Sequence, residues 1–330
     1  MRENPASHDS SLSRLMKAVR VHRFGGLEAI VYEEVPRPAP AMGQVLVRVK
    51  AAGVGPWDGW VRAGKSAIPQ RLPLILGSDL AGVVEDVGPG VSIFHPGDDV
   101  FGVTNSSFTG AYAEYAVAEA TMIATKPRRL GYVEAASVPV VASTAWQMVF
   151  DHRQVDGTKR VLVHGGAGNV GSYAIQLAKR AGAEVIATAF TRHVDYVRTL
   201  GADQIIDVKS AHFEERVKNV DVVIDTIGGE TLDRSFGVLK PGGVLVSSVG
   251  MPDREKAAQH QVRGVFFLVG VTSQGLTRIA DLLDSGQLKP NVGEVLPLAE
   301  ARLAHELLAG KPHKPGKIVL TVGELKASTY

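Results

Sequence analysis

Val161-Leu162-Val163, then His164-Gly165, then Gly166-Ala167-Gly168-Asn169-Val170-Gly171 is the stretch that decides the fold. The last six residues match G-x-G-x-x-G. Alone that pattern is weak, but a strand before it and a helix after it make it specific. Val161-Leu162-Val163 reads as the strand. Val170, Ala174, Leu177 and Ala181 then fall on one helical face, and Gly182 is placed to end the helix. The strand Glu184–Ala189 completes a βαβ unit. Glycines are needed because a Cβ would obstruct the tight turn and the approach of a pyrophosphate. The phosphates would then lie against free N–H groups at the helix start, where the dipole favours anions. The alternative is a glycine-rich turn in some other α/β fold. The strand–turn–helix–strand context argues against it.

The same rhythm continues on both sides of the motif. From Val138, strand-like runs alternate with helix-length segments: 160–164, Glu184–Ala189, Gln204–Asp207, Val220–Asp225, 243–248 and 264–269. Most are continuous apolar runs, as parallel strands covered on both faces require. The alternation predicts an α/β fold with a Rossmann-type doubly wound parallel sheet. A helix over 279–284 ends at Ser285-Gly286, and the tail holds a helix over 298–308 and a strand over 317–322. Upstream, short strands near Val45, Leu80, Asp98 and Ala113 are punctuated by Gly and Pro, which predicts a barrel-like β domain. Residues 1–15 read as a flexible, polar N-terminal extension.

Composition narrows the function. The chain has 330 residues, 45% hydrophobic and 21% charged, enough to bury two ordinary cores. Its net charge of +2 is scattered, which argues against a nucleic-acid surface. It has no cysteine, so disulfides and thiolate zinc sites are excluded. No apolar run reaches the roughly 18 residues of a membrane span. A cytoplasmic protein is the expectation.

Cofactor choice turns on the end of the second strand, Ala189-Phe190-Thr191-Arg192-His193. An NAD-specific site usually places an acid there to hold the ribose 2′-OH. Here there is none. Arg192 can pair with a 2′-phosphate and Thr191 can add a hydrogen bond, which favours NADPH.

These landmarks, with Ala51-Ala52-Gly53-Val54-Gly55-Pro56-Trp57-Asp58, Leu76-Gly77-Ser78-Asp79-Leu80-Ala81-Gly82, Gly97-Asp98-Asp99-Val100-Phe101-Gly102, Ala142-Ser143-Thr144-Ala145-Trp146 and Lys240-Pro241-Gly242-Gly243, resemble the medium-chain dehydrogenase/reductase superfamily. The likeness is to its zinc-independent quinone oxidoreductase (zeta-crystallin-like) branch. It implies a GroES-like substrate domain from residues 16–137 and 290–330, with the Rossmann domain over 138–289 inserted. Zinc-dependent members carry Cys in the first segment and Gly-His-Glu in the second. Here Gly55 and Gly77-Ser78-Asp79 stand in those places, so no metal is expected. The likeness also places Thr144 beside the nicotinamide ribose, and Val249, Gly250, Phe267 and Val269 at the nicotinamide end. Their other reading is plain core.

Many relatives carry Asn where this chain has Gly55, which puts the family's active-site detail in doubt. Trp57, Asp58 and Trp60 are the remaining cleft candidates. Asp58 could orient Arg62, relay a proton or fix a loop, and the tryptophans could stack on a flat ring or sit in barrel core. The histidines show no metal spacing, and His305 and His313 read as solvated. Two classes of function follow: NADPH-dependent hydride transfer to a quinone or α,β-unsaturated carbonyl, or a non-catalytic NADPH-binding sensor or interaction protein on the same fold. RNA binding has little support. A homodimer through an exposed edge strand at 264–269 is the expected assembly.

Overall fold

The computed structural model describes residues 14–152 and 154–323. Most of the N-terminal segment read as an extension lies outside them. Leu15, counted as part of it, already belongs to the first strand, where it pairs with Pro36.

Six strands form a wholly parallel sheet. Its order is Gln204–Asp207, Glu184–Ala189, Arg160–Val163, Val220–Asp225, Leu239–Ser247, Arg263–Phe266. The apolar runs form these strands because both faces are covered: every residue of Val220–Asp225 is buried. The helix Asn169–Arg180 covers one face with Ala174, Ile175, Leu177 and Ala178. The chain order reverses beside Arg160–Val163, the kind of crevice in which doubly wound sheets bind ligands.

A seven-stranded sheet and a three-stranded sheet make up the barrel side. Gln44–Val54 is its longest strand, pairing with Asp79–Val87, Tyr115–Glu119 and Lys317–Thr321. The chain therefore returns at its C-terminal end to complete the sheet begun before the nucleotide-type fold. One apolar core joins the two parts. It runs from Ala51, Phe101 and Val103 through the helix Pro139–Trp146 to Val161, Val222 and Leu276.

Two expectations are overturned. The edge strand read over 264–269 is Arg263–Phe266, and Phe267, Leu268 and Val269 leave the sheet. His305 is not solvated. It lies on the helix Ala301–Leu308 with 1% of its surface exposed, because Arg62 and Tyr112 close over it.

Candidate functional site

A cleft of about 510 Å³ lies between the glycine turn and the barrel. The helix Pro56–Arg62 gives Trp57, Trp60 and Val61 to one wall, and the helix Pro139–Trp146 gives Val140, Val141 and Thr144. Gly168, Asn169 and Val170 close the nucleotide side. Among the described residues that line it, none carries an ionisable side chain.

The four glycines of the turn have different reasons to be there. Gly165, just ahead of the motif, has φ +72°, and a Cβ there would meet Thr226 Oγ1 at 2.6 Å. At Gly166 a Cβ would press on Ile175 Cδ1 at 2.9 Å and Ala187 Cβ at 3.0 Å, so this residue permits the helix–strand contact. A Cβ at Gly171 would lie 2.2 Å from Gly165 O, inside the turn itself. Gly168 differs. Its φ is −74°, and the nearest atom a Cβ would meet is Gly165 O at 3.2 Å. The protein alone hardly demands glycine at that position. The first helical bond runs from Ser172 N–H to Gly168 O at 2.9 Å, which leaves the amides of Asn169, Val170 and Gly171 ahead of it for an anion.

At the end of the second strand, Phe190 is exposed. The Arg192 guanidinium lies 5.7 Å from its ring centroid and the Lys209 ammonium 5.6 Å. Arg192 Nε also donates to His193 Nε2 at 3.1 Å. Thr191 departs from expectation. Its hydroxyl bonds to Asp207, the main cause that holds that carboxyl below its usual range. The donor assigned to a phosphate is thus engaged. Lys209 and Asp207 were missed by sequence reasoning because they come from the neighbouring strand, where Asp207 stands opposite Ala189. A charged residue just past that strand was the available signal.

Thr144 is buried, and its hydroxyl donates to Val140 O at 2.7 Å, leaving its lone pairs as acceptors. Val249, Phe267 and Val269 all line the cleft, whereas Gly250 does not. The Val249 and Gly250 amides both bond Ser247 Oγ at 3.2 Å, which in turn donates to Asp225 Oδ2 at 2.8 Å. Phe267 packs on the His152 ring at 4.3 Å between centroids.

On the barrel wall, Asp58 is wholly buried and does not reach the cleft. Its Oδ2 accepts from the Gly55 amide at 2.8 Å and the Tyr112 hydroxyl at 2.9 Å. It fixes the start of the helix Pro56–Arg62, and burial pushes its pKa up to about 7. Arg62 bonds His305 Nδ1 at 3.0 Å, so Asp58 does not orient it. Trp60 is half exposed at the cleft mouth and is not core. Trp57 explains Gly55: a Cβ at Gly55 would lie 2.3 Å from the indole Cη2. The indole N–H donates to Ser78 Oγ at 3.0 Å. The Lys317 ammonium sits 4.2 Å from its ring centroid while pairing with buried Asp79 at 2.9 Å. Lys317 carried no sequence signal, since a lysine in a strand usually points to solvent.

Three family models match the chain: "Alcohol dehydrogenase GroES-like domain" over residues 41–128, "Alanine dehydrogenase/PNT, C-terminal domain" over 152–231 and "Zinc-binding dehydrogenase" over 200–320. The chain belongs to the medium-chain dehydrogenase/reductase superfamily. Within that class it is similar to the quinone oxidoreductase of Rattus norvegicus, 32% identical over 93% of this chain and 98% of that protein. The solved quinone oxidoreductase of Coxiella burnetii superposes with a TM-score of 0.88 at 33% identity, covering 94% of this chain and all of that one. A cobalt- and zinc-bound thermostable alcohol dehydrogenase from Pyrobaculum aerophilum superposes at 0.82 with 32% identity, covering 93% and 100%. The fold thus serves proteins of both names. These relatives and the nucleotide-type sheet indicate an oxidoreductase that uses NAD(P)H. Among the described residues no helix is long and apolar enough to cross a membrane.

Proposed function

We propose that the protein transfers hydride from NADPH to a quinone or an α,β-unsaturated carbonyl without zinc. The observation that carries this reading is the cleft wall. It is apolar and aromatic around Trp57, Trp60, Phe108 and Phe267, and among the described residues no lining side chain can ionise. Bound NADPH would supply the hydride. The chain binds the pyrophosphate on the amides of Asn169–Gly171, orients the ring against Thr144, Val249 and Val269, and keeps water from the apolar end.

The wall favours the quinone among the two acceptors. A quinone that gains a hydride becomes a hydroquinone anion, which takes its proton from solvent at an oxygen. An enone must be protonated at carbon, and among the described residues no ionisable lining group is placed to do so. Zinc does not fit the residues present: Gly55 and Ser78 offer no ligand set, and the Trp57 indole fills the space between them. Among the described residues no group of three His, Asp or Glu side chains converges.

NADPH rather than NADH is supported by Arg192 and Lys209 beside Phe190. A homodimer is supported by the strand Arg263–Phe266 at the sheet edge. The experiment is NADPH oxidation with 9,10-phenanthrenequinone, 1,2-naphthoquinone and a simple enone. Turnover of the quinones well above the enone is expected. Tight NADPH binding with no turnover of any acceptor would favour the non-catalytic reading.

A further inference from the structure

The loop 267–271 lines the cleft at the end that the family likeness assigns to the nicotinamide, yet it lies beyond the last hydrogen-bonded residue of its strand. Its downstream end is tied to the barrel, where the Ser273 hydroxyl bonds Ala120 O at 2.9 Å and Ile123 O at 2.5 Å. Its middle is held by one side chain. Gln147 Nε2 donates to Gly270 O at 2.5 Å, and Gly270 N–H donates to Gln147 Oε1 at 3.2 Å. One amide thus satisfies both polar groups of one peptide residue, which fixes orientation as well as distance.

Gln147 stands where the helix Pro139–Trp146 changes to a wider π turn over Gln147–Asp151, a kind of irregularity that recurs at functional sites. The same helix carries Thr144 into the cleft. His152, just past the turn, packs on Phe267 with the rings tilted, and Arg263 donates to its carbonyl. Gln147 itself does not line the cleft.

We propose that Gln147 is a positioning residue for hydride transfer: its clamp on Gly270 sets where Phe267 and Val269 stand relative to Thr144, and so how the nicotinamide ring meets the acceptor. This rests on the function proposed above. The clamp acts on alignment, while the pyrophosphate would be held by the glycine turn, a different segment of the cleft wall, so the two are separable. A small misplacement of the reacting ring costs rate steeply.

The test is Gln147→Ala, with Gln147→Met as the variant that keeps the bulk and removes the amide. Both should lower kcat for 9,10-phenanthrenequinone about tenfold, equivalent to about 1.4 kcal/mol. The NADPH dissociation constant should stay within about twofold and the melting temperature close to wild type. A kcat within twofold of wild type in both variants overturns the proposal. So does a fall in kcat matched by equal losses in NADPH affinity and melting temperature, which marks a merely structural role. If wild type binds NADPH and reduces no quinone, the proposed function fails while the clamp stays testable by hydrogen–deuterium exchange. Peptides spanning 267–271 must then exchange faster in both variants, and unchanged exchange refutes the clamp.

Discussion

Replacing Gly168 by valine should abolish tight nucleotide binding and leave the fold intact, while the same change at Gly171 should do the reverse damage first. At Gly168 the backbone is extended in ψ and negative in φ, a conformation open to a β-branched residue, and the nearest protein atom, Gly165 O, stands 3.2 Å from the new Cβ, a tight contact that a shift of a few tenths of an ångström relieves. Losing a glycine's unfolded-state entropy even favours folding slightly. A branched side chain there would stand where a pyrophosphate must approach the Asn169–Gly171 amides. Two charge-assisted hydrogen bonds at about 1.5–3 kcal/mol each give a loss of about 3–6 kcal/mol, or about a hundredfold to ten-thousandfold in affinity. At Gly171 the new Cβ would lie 2.2 Å from Gly165 O and 2.9 Å from Gly165 C, both backbone atoms that cannot rotate away. Such overpacking costs about 1–3 kcal/mol or more of stability. Calorimetric titration with NADPH and thermal unfolding of both variants separate the two effects. A folded Gly168→Val protein that binds NADPH within threefold of wild type refutes the reading of the turn. So does a Gly171→Val protein as stable as wild type.

Arg192→Ala should weaken NADPH about tenfold, the low end for a charged hydrogen bond because the group is exposed. NADH should be nearly unaffected, and the difference should shrink at high salt. Lys209→Ala should act alike, and paired titrations with both nucleotides decide; equal losses for both would remove these residues from cofactor choice. Burial, helped by the Arg62 charge, holds His305 well below 6.5, down to about 4. A lowered histidine pKa stabilises the folded state above about 6.5 and loses that contribution as pH falls toward 4. Wild type should therefore lose about 1.4 kcal/mol per pH unit relative to His305→Gln across that window. Asp58, raised to about 7, has the opposite sign but is common to both proteins. Urea unfolding at neutral and mildly acid pH measures the difference, and a difference independent of pH contradicts it. Purified protein should hold no stoichiometric zinc, and chelators should leave quinone reduction unchanged; one tightly held zinc per chain refutes the zinc-free reading.

The Rossmann-type half was legible because its central strands are buried on both faces. Glu184–Ala189 and Val220–Asp225 are buried almost throughout and stand where the sequence puts them, and the short edge strand Gln204–Asp207, with only Ile206 buried, follows from its place in the alternation. The glycine turn was legible because Gly166 and Gly171 follow from close packing inside the turn, and Gly168 from the room a phosphate needs. The edge strand was read too long because Phe267, Leu268 and Val269 are apolar for a different reason: they face a cleft, not a ladder, and composition does not separate the two. His305 was read as solvated because its partners Arg62 and Tyr112 are 243 and 193 positions away. Gly55 looked like the loss of a polar group. In three dimensions it is the space that Trp57 occupies, and only the packing reveals it. Thr191 reads in the sequence as a phosphate donor, but its hydroxyl turns to Asp207, a partner set by strand pairing.

Zinc-free hydride transfer from NADPH to a quinone is the step to isolate. Its most direct test is a single turnover in which chelator-treated enzyme, loaded with NADPH protiated or deuterated at the nicotinamide C4, is mixed with 9,10-phenanthrenequinone in a stopped-flow instrument. Loss of NADPH absorbance is expected in step with quinone reduction, slowed by deuterium and indifferent to the chelator. Bound NADPH that persists unoxidised, or an oxidation that returns only when zinc is restored, would contradict it.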